Sequence, residues 1–118
     1  MKKLKSTFYT QDALMVAPLL LGKLLVRKLD NGEIISYRIT ETEAYCGEED
    51  SACHAKAGKT NRTAPLYNQG GCAYVYLCYG MHYLFNVVTG KKNNPQAVLI
   101  RAVEGYNGPA KLTKAMHI

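Results

Sequence analysis

The chain has 118 residues, 47% of them hydrophobic and 20% charged, with 15 Lys and Arg against 9 Asp and Glu for a formal charge of +6. That length holds one domain with a real core and not two, and the balance is that of a globular chain, not a disordered one. The longest apolar run, Ala13 to Leu21, is broken by Pro18 and falls far short of the roughly 20 residues that cross a bilayer. The opening MKKLKSTFYTQD has charge but no apolar core or small-residue cleavage site, so no signal peptide is expected and the reducing cytoplasm is the expected compartment.

In chain order, Thr10 and Asp12 stand ahead of ALMVAPLLLG, where Ala13, Val16, Ala17 and Leu20 recur at helical spacing and Gly22 is a natural stop. Pro18 is expected to bend or shorten this helix. KLLVRKL reads as a strand, DNG as a tight turn and EIISYRITETEAY as a second strand, together a hairpin. A period of two along the second strand places Ile35, Tyr37, Ile39, Glu41, Glu43 and Tyr45 on one face, so apolar residues give way to carboxylates along a single side. From Cys46 to Gly71 there is little periodicity and much Gly, Lys, Asn and Thr. That segment reads as a long loop with a short helix near Ser51 to Ala57, and a loop of about 25 residues in a compact domain usually has a function. Two strands follow, CAYVYLCYG and HYLFNVVTG, with Gly80 and Met81 between them. KKNNPQ reads as a turn, AVLIRAV as a buried strand, and GPAKLTKAMHI as the start of a helix with Pro109 near its first turn.

Charge is unevenly placed. Residues 1–50 hold seven basic and eight acidic side chains, while residues 51–118 hold eight basic groups and one acid, Glu104, giving −1 and +7. Five carboxylates fall within the ten positions of ETEAYCGEED, Glu41 to Asp50, so a basic chain gathers most of its acid in one place. A basic half suits a polyanion, nucleic acid foremost, and a soluble basic surface is the alternative. Of nine tyrosines, five (Tyr67, Tyr74, Tyr76, Tyr79 and Tyr83) lie within seventeen positions. Aromatics interleaved with cations can stack on bases, and cross-strand packing is the other reason for such a pattern. Cys46, Cys53, Cys72 and Cys78 contain no CxxC spacing and read as free thiols, in preference to a zinc site built on Cys53 and His54.

The stretches ETEAYCGEEDSACHAKAGKTNRTAPLY, AYVYLCYGMHYLFNVVTG and AVLIRAVE, in that order and spacing, resemble the 3-methyladenine (alkyladenine) DNA glycosylase family, from about Phe8 to the end of the chain. The resemblance implies an enzyme of base-excision repair that removes alkylated or deaminated purines, of the 3-methyladenine and hypoxanthine type, from double-stranded DNA. It implies an α/β mixed (α+β) single domain, residues 1–118, around a curved, mainly antiparallel sheet, with no metal, cofactor or membrane partner. Carried over residue by residue, Glu43 resembles the group that activates the attacking water, and Tyr45 one wall of the pocket that stacks on the flipped base. His54 resembles the opposite wall, Tyr76 a third aromatic edge, and Asn86 the floor that crowds the exocyclic amine of guanine. Tyr79 resembles the wedge that enters the minor groove, and Arg101 a pocket or phosphate-contacting arginine. Lys56, Lys59, Arg62, Lys91 and Lys92 are credible phosphate contacts. Beside these, Glu41 reads as a hydrogen-bonding neighbour, Glu48, Glu49 and Asp50 as a solvated loop, and Tyr74 and Tyr83 as packing residues. For Arg101 the alternative is a buried arginine paired with Glu41 or Glu43.

The implied roles are physically consistent. A purine N-glycosidic bond breaks through a state with oxocarbenium character, which a carboxylate near C1′ stabilises while taking a proton from water. Flipping a base costs a few kcal/mol, least for damaged pairs, and stacking between aromatic rings offsets part of it. A side chain wedged into the duplex holds the opened state. No lysine sits in ETEAY beside Glu43 to form a Schiff base, so a monofunctional reaction with water is expected.

Three departures stand out. Only GYN separates Glu104 from Gly108, where the family carries a longer segment, and members continue well beyond the following helix. Cys53 replaces the usual Ser or Ala. The expectation is therefore a fold incomplete at its C-terminal side, as a fragment or a minimal form, with an apolar sheet edge that invites self-association and weakens activity.

Overall fold

The computed structural model describes residues 3–47, 59, 63–78 and 80–118. The chain runs through α1 (Ser6–Tyr9), α2 (Ala13–Leu20), β1 (Leu24–Lys28) and β2 (Ile34–Cys46), then a 3-10 turn (Ala64–Tyr67). β3 (Ala73–Cys78), β4 (His82–Thr89), β5 (Gln96–Val103), β6 (Tyr106–Asn107) and α3 (Pro109–Ala115) follow. All strand pairs are antiparallel, in the order β1-β2-β5-β4-β3, with the two-residue β6 beside the end of β5. The mixed α/β domain and antiparallel sheet agree with the sequence; α1 and β6 are additions to it. The helix expected near 51–57 lies outside the described residues, as do His54, Lys56, Arg62 and Tyr79.

α2 buries the four residues that its periodicity singles out, Ala13, Val16, Ala17 and Leu20, against Ile39, Val98, Ile100, Val103 and Leu112. Fully buried aliphatic groups such as Val16, Ile100 and Leu112 each contribute roughly 1.5–3 kcal/mol. The helix ends two residues past Pro18, and the Leu21 N–H closes onto the Pro18 carbonyl. Its first turn is satisfied from a distance. The Ala13 N–H donates to Gln96 Oε1 at 2.9 Å, and Gln96 Nε2 donates to Asp12 Oδ1 at 3.3 Å. Asp12 makes no side-chain cap of its own, and the Thr10 hydroxyl instead donates to the Thr7 carbonyl, closing α1.

The sheet separates two cores. One is the α2 and α3 side; the other gathers Leu66, Tyr67, Tyr74, Val88 and Ala97, with Tyr45, Cys72 and Tyr76 packed against them. β2 contributes to both because its alternation breaks. Ile39 lies opposite Val103 and Thr42 opposite Ile100, but between them Glu41 lies opposite Ala102, so each strand takes one irregular step. A bulge flips which residues face which side. Ile39 packs under α2 before the bulge, Thr40 and Glu41 are both exposed, and afterwards Ala44 and Cys46 pack on the α2 side. The Thr42 hydroxyl donates to the Ala17 carbonyl at 2.8 Å, fixing that parity. The single face expected for Ile35 through Tyr45 is thus corrected: Glu43 and Tyr45 emerge on the side opposite Ile39.

The described end of the long loop is tied down by backbone contact. Gly70 N–H donates to Gly90 O, whose own N–H donates to Tyr9 O. A Cβ on Gly70 would lie 1.9 Å from the Tyr9 carbonyl oxygen, so only glycine fits between α1 and the end of β4.

Candidate active site

Residues directly opposite one another in an antiparallel sheet share a face. Glu43 is opposite Leu99, Leu99 is opposite Asn86, and Asn86 is opposite Tyr74. These four side chains form a row across β2, β5, β4 and β3. One step along, Tyr45 is opposite Ala97 and Ala97 opposite Val88. One step the other way, Arg101 and Tyr76 flank the same row. Glu43, Tyr45, Tyr76, Asn86 and Arg101, which sequence resemblance alone associates, therefore share the tyrosine-rich face, away from α2.

Both oxygens of the Glu43 carboxylate are engaged. The Tyr45 hydroxyl donates to Oε2 at 2.5 Å, and Arg101 Nη1 donates to Oε1 at 2.6 Å. The Tyr45 hydrogen bond, then the hydrogen bond and charge of Arg101, hold the carboxyl below its ordinary range against the opposing effect of partial burial. Burial and the neighbouring carboxylate push Tyr45 the other way, so its phenol keeps its proton. Arg101 is 44% exposed and Glu43 38%, so the pairing with Glu43 that the alternative reading expected is present, but on a rim arginine and not a buried one.

Asn86 is buried, and its Nδ2 donates to the Tyr74 carbonyl at 3.2 Å, which orients the amide within the row. The Tyr76 ring lies 5.7 Å from that of Tyr74, tilted by 40°. Tyr74 is a packing residue, as expected. Tyr83 is not: it is 49% exposed, beside exposed Leu77 and Met81, because all three lie toward the tip of the β3–β4 hairpin beyond the reach of either core. Gly80, at φ +67°, makes that turn.

Three of the candidate cations gather at the other end of the face. Lys59 Nζ lies 5.7 Å from the Tyr67 ring centroid. Lys91 and Lys92 are exposed in the β4–β5 turn, whose Asn93 N–H donates to the Tyr67 carbonyl at 2.7 Å. The contribution of Tyr67 was not legible in the sequence, where it is one tyrosine among many after a loop without periodicity. Among the described residues no three His, Cys, Asp or Glu side chains cluster as metal ligands, and no helix is long and apolar enough to cross a membrane. Among the described residues Cys72 and Cys78 form no disulfide.

Comparison with known proteins bears on this face. The family model for methylpurine-DNA glycosylase matches residues 7–108. A protein of Borreliella burgdorferi (strain ZS7), provisionally named a 3-methyladenine DNA glycosylase, is 58% identical over 123 residues, covering 94% of this chain and 66% of its own length. Proteins of the same provisional name from Natranaerobius thermophilus and Chlorobium phaeobacteroides are 49% and 43% identical, covering 98% and 100% of this chain and 69% of their own lengths. The chain thus spans about two thirds of the length of the curated relatives it matches. With a match across residues 7–108, the chain belongs to the methylpurine-DNA glycosylase family.

Proposed function

We propose that this chain carries the base-excision chemistry of a monofunctional DNA glycosylase acting on alkylated or deaminated purines in duplex DNA. The observation that carries the reading is a glutamate gripped at both oxygens by Tyr45 and Arg101, on a tyrosine-lined face of a chain from this family. The damaged purine leaves the stack and lies against aromatic rings, with Tyr45 and Tyr76 as the described walls and His54 as the candidate from the loop. The glycosidic bond breaks with its electron pair passing to the purine nitrogen. Water oxygen bonds to C1′, and Glu43 stabilises the developing positive charge and accepts the water proton. An alkylated purine carries positive charge into this step and leaves neutral, so a single carboxylate suffices for it; a deaminated purine leaves with the electron pair as an anion and takes its proton from solvent.

Supporting features surround that centre. The exposed Leu77, Met81 and Tyr83 give the β3–β4 hairpin an apolar tip suited to entering a groove beside Tyr79. Lys59, Lys91 and Lys92 at the far end, with Lys56 and Arg62, are candidates for the phosphates. Duplex oligonucleotides carrying hypoxanthine or 3-methyladenine test the reading. Free base and an intact strand with an abasic site are expected. Salt-sensitive duplex binding without any base release would instead favour a DNA-binding module that keeps the fold and lacks the catalysis.

A further inference from the structure

We infer that Tyr45 is the positioning residue of Glu43, its hydroxyl fixing the carboxylate at Oε2 while its ring remains available to a base. The inference rests on the reading of Glu43 as the water-activating group, but the contact that carries it is independent of that reading. Residues two apart on a strand point to the same side, and the phenol of Tyr45 meets Glu43 Oε2 at 2.5 Å.

The two partners of Glu43 differ in kind. Arg101 and Glu43 are both more than a third exposed, so water competes for their contact and salt screens it. Tyr45 is packed against the cluster of Leu66, Tyr67, Tyr74, Val88 and Ala97, which fixes its ring and therefore where its hydroxyl points. A hydrogen bond from a packed ring loses little to side-chain entropy and nothing to salt. The groups that bear on this pair from neighbouring strands are Arg101 on β5 and Tyr76 on β3, with Glu41 acting on Arg101.

The chemical consequence is a fixed donor and acceptor near neutral pH. Burial and the adjacent carboxylate keep the proton on Tyr45, so the phenol is always the donor and Glu43 always the acceptor. Each carboxylate oxygen has two lone pairs, so one on each remains for a water molecule. Glu43 gives up some basicity and gains a fixed orientation and full ionisation, the right exchange for a group that must stabilise a cationic transition state.

Tyr45→Phe keeps the ring and removes only the hydroxyl. The titration of Glu43 can be followed by carbon NMR of glutamate-labelled protein, assigned with Glu43→Gln, in the parent, Tyr45→Phe and Arg101→Gln. In Tyr45→Phe the Glu43 midpoint is expected to move upward at both low and high salt. In Arg101→Gln it moves less, and the low midpoint persists in high salt. Base release by Tyr45→Phe is expected to fall roughly 10- to 100-fold at neutral pH, with its acid limb displaced upward. An unchanged Glu43 titration in Tyr45→Phe would overturn the inference. So would an ordinary midpoint in Arg101→Gln at high salt, a result that stands even if Tyr45→Phe does not fold. If instead Glu43→Gln releases base at the parent rate while Tyr45→Phe shifts the titration, the assignment of Glu43 as the water-activating group fails and the Tyr45 contact on its carboxylate survives.

Discussion

Glu43 is a charge that the fold holds in its ionised form, and its sign has a thermodynamic consequence. A carboxyl whose folded pKa lies below its unfolded value binds fewer protons when folded, so the stability it contributes is present above the ordinary glutamate range. That stability is lost as pH falls through the lowered folded value. Glu43 is 38% exposed, so solvent screening keeps the contribution small. Unfolding midpoints of the parent and Glu43→Gln, measured across the acid range, are expected to differ near neutral pH and converge at low pH. A gap independent of pH would mean that the Tyr45 and Arg101 contacts do not act on ionisation. The candidate residues themselves were legible by resemblance, because Glu43, Tyr45, Tyr76, Asn86 and Arg101 sit in distinctive short motifs. Their mutual arrangement was not, since nothing in ETEAY says that its tyrosine turns back onto its glutamate.

Among the elements, α2 and β2 make opposite cases. The apolar spacing of α2 reads directly, since a helix that packs one stripe on a sheet must repeat at that interval. Its cap could not be read, because Gln96 lies 83 residues from Ala13 and takes the place expected of Asp12. Gln96→Ala would leave the buried Ala13 N–H without its acceptor, at a cost of about 1–3 kcal/mol. A lower midpoint in urea unfolding checks this, and an unchanged midpoint would mean that Gln96 is not the cap. The β2 alternation fails at Thr40 and Glu41 for a reason that strand periodicity cannot contain: the bulge depends on how β2 and β5 pair. Without it Glu43 would face α2 beneath a helix, where a carboxylate could reach neither water nor DNA. The bulge is thus the local irregularity that turns an apolar strand into the carrier of the site.

At the scale of the molecule, residues 51–118 carry +7 in sequence, and the exposed Lys91 and Lys92 lie at one end of the face that holds Glu43, a distribution that suits a polyanion. Duplex affinity is accordingly expected to fall steeply as salt rises, and salt-independent affinity would remove nucleic acid as the partner. A second expectation concerns β1, which pairs only with β2 among the described residues and, with β2, exposes Leu24, Val26 and Ile34. Such an edge favours association, so sedimentation is expected to show concentration-dependent self-association that Val26→Lys weakens; a monomer at every concentration would contradict this. The central question remains which carboxylate does the chemistry, and single-turnover release of hypoxanthine or 3-methyladenine from duplex DNA answers it when Glu43→Gln and Glu41→Gln are run beside the parent. Glu43→Gln is expected to lose release by roughly 1,000-fold or more while retaining duplex binding, and Glu41→Gln to stay within about tenfold of the parent. Release at the parent rate by Glu43→Gln, or its loss in Glu41→Gln alone, would contradict the assignment.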